Sequence, residues 1–250
     1  MSRSDRVWRK RLTLALLIFV IPVVVVGGAY LFEEKYYAWV SLAVAVLSCL
    51  PVFYCFEKKE TTAKELIILA VMVALSAAGR FVFFAVPGFK PVTAITVIAA
   101  VYLGKEAGFL VGSMSAVVSN FHFGQGPWTP FQMFAWGFLG FLAGVLAGPL
   151  KRSKLWMSLY GILAGVLYSL ILDIWSTLWA DGTFRLSRYL AACITAIPFT
   201  VTYAVSNVVF LFFLQRPIGE KLERIKQKYG LFQPMKRDEE TQVSSYRSAE

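Results

Sequence analysis

Hydrophobic residues in this chain come in long blocks, with polar residues gathered between them. Three blocks carry almost no charge: "LTLALLIFVIPVVVVGGAYLF" (12–32), "YYAWVSLAVAVLSCLPVFYCF" (36–56) and "LIILAVMVALSAAG" (66–79). The first two are long enough to cross a bilayer core, which takes roughly 20 apolar residues. The whole chain divides into eight apolar segments, 12–32, 36–56, 64–86, 92–104, 106–120, 131–150, 155–179 and 189–214. The pattern predicts an all-α, polytopic membrane helix bundle. The first block has no clear small-x-small cleavage site before "EEKYY", and a second span follows at once, so it reads as a retained helix and not as a signal peptide.

Segments 92–104 and 106–120 are short. Thirteen residues at about 1.5 Å each reach only about 20 Å, so they are either two helices or one long helix broken at "GKE" (104–106). Charge separates the two readings. With eight spans, twenty of the 25 Lys and Arg residues fall on the cytoplasmic side, four (Lys35, Lys90, Arg185, Arg188) on the outer side, and Arg80 within a span. Fusing 92–120 would place "KRSK" and the basic tail outside. The positive-inside rule therefore predicts eight spans with both termini in the cytoplasm.

Composition agrees: 58% of residues are apolar and 16% charged, against about 25% charged in a soluble domain. The net charge of +10 follows from the cytoplasmic bias and points to anionic lipid headgroups as partners, not nucleic acid. Cys49, Cys55 and Cys193 sit in apolar runs at spacings that fit neither a zinc site nor a disulfide framework. Beyond the last span, "RPIGEKLERIKQKYG" puts Ile218, Leu222, Ile225 and Tyr229 on one helical face, the mark of an amphipathic helix. The polar end, "KRDEETQVSSYRSAE", is expected to be disordered.

The most unusual chemistry lies in one outer loop, "NFHFGQGPWTPFQ" (120–132). Gly124, Gly126, Pro127 and Pro130 shape its backbone, and Asn120, His122, Phe123, Gln125, Trp128 and Gln132 supply polar and aromatic groups. Trp175 and Trp179 suit an interfacial aromatic belt, which is also the alternative for Trp128. His122 is the only His, and one His makes no metal site. It is either a hydrogen-bonding loop residue or a ligand contact. Arg80 and Asp173 lie near the outer ends of their spans. An ionisable residue inside a membrane helix faces a cavity or a partner, so these two either pair with each other or touch a ligand. One face thus gathers apolar walls and a few directional polar groups, as small-molecule pockets do. No cofactor or metal is expected.

Ala70, Ala74 and Ala78 recur every four residues in the third segment, and similar runs occur at Gly140, Gly144 and Gly148 and at Gly161 and Gly165. Such spacing lets helices approach closely. The cytoplasmic Ala70/Ala74 pair suits a docking partner. The sequence has no P-loop, no H-E-x-x-H and no paired broken helices of a secondary transporter. A binding pocket without an energy source implies a subunit whose energy source lies elsewhere.

A six-helix core, the A-x-x-x-A of Ala70 and Ala74, and the run "NFHFGQGPWTPFQMFAWGFLG" resemble the substrate-binding S components of energy-coupling factor (ECF) vitamin transporters over about residues 62–215. The resemblance implies a subunit of an ABC-type importer in the bacterial plasma membrane. Such a subunit binds a vitamin from outside and docks through its first core helix onto a transmembrane coupling subunit driven by two ATPase subunits. The loop looks closest to members linked with cobalamin uptake. Two extra spans (1–61) depart from the family pattern, and residues 216–250 form the cytoplasmic tail. The resemblance implies no enzymatic activity. The rival readings are a lipid-modifying membrane enzyme using His122 with Asp173 or Asp181, and a ligand sensor without transport.

Overall fold

The computed structural model describes residues 62–126, 128–181 and 185–232. The expected N-terminal pair of spans, Pro127 and the polar tail lie outside the described residues. Within them the chain is all helical. The elements are α1 (Ala63–Val82), α2 (Val92–Leu103), α3 (Lys105–Phe123), α4 (Thr129–Val145), α5 (Ala147–Arg152), α6 (Lys154–Asp181), α7 (Leu186–Thr195) and α8 (Ile197–Tyr229). Three of these, α1, α6 and α8, are long and apolar enough to cross a membrane, and α2 and α4 are shorter apolar helices.

α2 is the centre of the bundle. Its sequence, "VTAITVIAAVYL", has no charge and many small or β-branched residues, and every residue except Tyr102 is buried. It touches α1, α3, α4, α6 and α8. Gly104 then takes φ +114, a conformation that side-chain-bearing residues rarely adopt. The turn at "GKE" therefore separates α2 from α3, as the charge pattern required. α3 and α4 make the closest pair. A Cβ on Gly112 would lie 2.4 Å from the Trp136 carbonyl oxygen, and one on Gly140 would lie 2.3 Å from the Gly108 oxygen.

The last apolar segment, 189–214, was expected as one span. The structure divides it at Ala196, between α7 and α8. Pro198 sits at the start of α8, where its missing N–H costs no helical bond. α7 has no buried residue. α8 continues well past residue 214, to a left-handed C-cap at Gly230 (φ +62). Its extension folds against the bundle. Leu222 and Leu231 are buried, Ile218 and Phe232 pack on the core, and the Phe232 N–H donates to the Glu65 carboxylate at 2.5 Å. Lys226 Nζ donates to the Tyr102 carbonyl at 3.2 Å. Lys151 pairs with Glu223 at 2.8 Å and holds that carboxyl below its usual range. Most of the amphipathic face is thus spent on the protein's own core, although Tyr229 is exposed.

Candidate functional site

The end of the bundle that carries the 83–91 and 124–128 loops holds a buried polar and aromatic cluster, built around Arg80. This residue lies in the last turn of α1 and is 7% exposed. Its Nη1 donates to Ser119 Oγ at 2.5 Å and to Asn120 Oδ1 at 2.7 Å. The guanidinium stands 4.5 Å from the Phe123 ring centroid and 5.5 Å from that of Trp136. Neutral oxygens and ring faces hold the cation. No carboxylate pairs with it among the described residues, and its Nε has no partner.

Asn120 is the hub. It is fully buried, and while its Oδ1 accepts from Arg80, its Nδ2 donates to Thr129 Oγ1 at 3.0 Å and Gln132 Oε1 at 2.8 Å. Gln132 in turn lies beside the Tyr168 hydroxyl. Tyr168 stacks on Trp136 at 5.1 Å and meets Tyr203 edge-on at 5.0 Å. Phe123 and Trp136 thus turn their rings to the cation, and Tyr168 and Tyr203 continue the aromatic cluster onto α6 and α8.

The loop after α3 is closed largely on itself. Gln125 is exposed, donates to the Val117 carbonyl at 2.9 Å and accepts from Thr129 Oγ1 at 3.1 Å. Trp128 folds back over Gly126, where an added Cβ would lie 2.3 Å from its ring, and packs on the cluster of Phe131 and Trp175. Gly126 thus leaves room for a side chain of the same loop. His122 is exposed and packs edge-on against Phe81 at 4.7 Å and Phe123 at 5.2 Å. No contact joins it to Asp173 among the described residues.

Arg80 and Asp173 form no ion pair. Asp173 lies beside the Cys193 thiol of α7, and its Oδ2 has no partner. Of the eight candidate residues, Arg80, Asn120, Phe123 and Gln132 form one connected cluster, and Gln125 joins it through Thr129. Trp128, His122 and Asp173 flank it.

Lys90, Trp136, Tyr168 and Tyr203 were not among the candidates. The aromatics lie on apolar stripes, where a ring reads as ordinary core. Lys90 lies in the loop 83–91, pinned to α8: its N–H donates to Ser206 Oγ at 2.9 Å, and that hydroxyl donates to the Lys90 carbonyl at 3.1 Å. Its Nζ is 5.8 Å from the Phe123 centroid, so two cations share one ring. Burial, then the nearby Arg80 charge, lowers the Lys90 pKa.

A membrane helix bundle with a buried cationic and aromatic cluster at one end, and no metal-binding group among the described residues, is a small-molecule-binding membrane protein in form. Residues 60–224 match the family described as ECF-type riboflavin transporter, S component. The chain belongs to that family, and so is a substrate-binding subunit of an ECF-type vitamin transporter. No curated protein and no solved structure matches it.

Proposed function

We propose that this S component binds riboflavin at the loop-bearing end of the bundle, on the outer face of the bacterial plasma membrane, and delivers it to an ECF coupling subunit. The observation that carries the ligand reading is the Arg80 cluster: a buried guanidinium with an unpartnered Nε, beside an aromatic cluster drawn from four helices. A flat, fused-ring ligand with carbonyl acceptors suits such walls and such a donor. The family's name points to riboflavin, and the expectation of cobalamin finds no support in it. Arg80, Asn120, His122, Phe123, Gln125, Trp128, Gln132 and Asp173 remain the proposed binding set, with Lys90, Trp136, Tyr168 and Tyr203 added.

Ala70, Ala74 and Ala78 are all exposed on α1, beside exposed Ile67 and Val71. Such a smooth apolar stripe supports close docking of a coupling-subunit helix. The test of the whole reading is quenching of riboflavin fluorescence by the purified protein, with cobalamin as competitor, followed by transport with the coupling module. Riboflavin should bind, and Ala74→Trp should abolish transport while leaving binding intact. Displacement of the flavin by cobalamin at equal concentration, or absence of quenching, refutes the ligand. Equal loss of binding and transport in Ala74→Trp refutes the docking face.

A further inference from the structure

One face of α6 carries Ser169, Asp173 and Thr177, spaced one turn apart and all buried (4%, 8% and 1% exposed). Two of the three are satisfied by the protein itself. Ser169 Oγ accepts from Thr200 Oγ1 at 2.6 Å, and Thr177 Oγ1 donates to the Asp173 carbonyl at 2.8 Å. The Asp173 side chain is not. Its carboxylate lies beside the Cys193 thiol, and its Oδ2 has no hydrogen-bond partner. The titratable groups near it on α7 and α8 are Tyr189, Cys193 and Tyr203. None is a cation, and the Tyr189 hydroxyl is committed to the Leu170 carbonyl at 3.2 Å.

Buried polar atoms in folded proteins almost always have a partner, and a buried carboxylate demands one more strongly than most. An open carboxylate oxygen at this place calls for a donor that the surrounding side chains do not supply. The missing partner must bring a donor. Arg80 offers the reverse, an unpartnered donor, and both charges lie near the Tyr203 hydroxyl.

We infer that Asp173 is a specificity-determining residue whose open carboxylate oxygen accepts a hydrogen bond from an N–H or O–H donor of the bound ligand. This rests on the riboflavin reading. Riboflavin carries donors of both kinds, the imide N–H of its ring system and the hydroxyls of its ribityl chain. Asp173 reads one of them.

The test uses the full-length protein in detergent and three probes: riboflavin, 3-methylriboflavin, which lacks the imide N–H, and lumiflavin, which lacks the ribityl hydroxyls. Wild type should bind one of the two analogues about ten- to hundredfold more weakly than riboflavin, the range of one hydrogen bond to a charged group. Asp173→Ala should lose that same factor for riboflavin and nothing further for that analogue, the non-additivity that marks a direct contact. Asp173→Asn, which keeps an acceptor, should stay within a fewfold of wild type. Equal binding of all three flavins by wild type overturns the inference alone. So does unchanged riboflavin affinity in Asp173→Ala, or an equal loss for all three flavins in that variant. No riboflavin binding by wild type overturns the ligand reading and the inference with it.

Discussion

Replacing Asn120 with Ala tests whether the polar hub holds the loop-bearing end of the bundle together. Three hydrogen bonds at 2.7, 3.0 and 2.8 Å leave with it. Arg80 keeps Ser119 as an acceptor, and Thr129 keeps Gln125. Gln132 Oε1 loses the one donor described for it. Stranding a buried polar group costs about 1–3 kcal/mol, and more for a charged one. With one group fully stranded and a buried cation half stranded, the variant should lose about 3–5 kcal/mol. For a chain of this size, each kcal/mol shifts the unfolding midpoint by roughly 2–4 °C, so the expected fall is roughly 6–20 °C. The assay is thermal unfolding of purified protein in one detergent, without ligand. Gln125→Ala is the control: its side chain is exposed, water replaces its partners, and its midpoint should move by less than about 4 °C. Equal, small shifts in both variants would show that the Asn120 bonds contribute no net stability, and the hub would be a packing feature only.

Gly112→Ala forces a Cβ to within 2.4 Å of the Trp136 carbonyl, so α3 and α4 must separate at a cost of about 1–3 kcal/mol. Gly148→Ala meets nothing within 4 Å and should leave the midpoint unchanged; equal midpoints for the two would deny the close packing. Lys90 has a pKa below its usual value because of burial and Arg80. The folded state therefore binds fewer protons than the unfolded state as pH nears the ordinary Lys value, and stability should rise with pH through that window. Lys90→Met should flatten the rise, and an unaltered pH profile of the unfolding midpoint would refute it. A cysteine at Lys105, in a background with Cys49, Cys55 and Cys193 changed to Ser, should react with an impermeant thiol reagent only from the cytoplasmic side. Labelling from outside would reverse the proposed topology.

The helical, membrane-spanning character of the chain was legible because hydropathy is a local property of the chain. The break between α2 and α3 was legible too, because the charge pattern demanded a turn at Gly104, and that residue tolerates φ +114. The break between α7 and α8 had a local signal, Pro198, that an apolar run long enough for a span concealed. Four of the site residues, Arg80, Asn120, Phe123 and Gln132, could be singled out because polar or aromatic groups are conspicuous beside a membrane span. Their partners could not. A buried guanidinium satisfies itself equally well with a carboxylate or with neutral oxygens, and only the packing of α1 on α3 gave Arg80 the Asn120 and Ser119 oxygens in place of Asp173. Spacing was equally silent on use. Ala70, Ala74 and Ala78 are exposed, Gly140 and Gly144 are pressed against α3, and Gly148 meets nothing, although all follow the same four-residue period. An amphipathic helix announces that it will cover something apolar. It took the tertiary structure to show that the α8 extension lays Ile218 and Leu222 on its own bundle, because burial is decided by which surface lies within reach once the helices have packed.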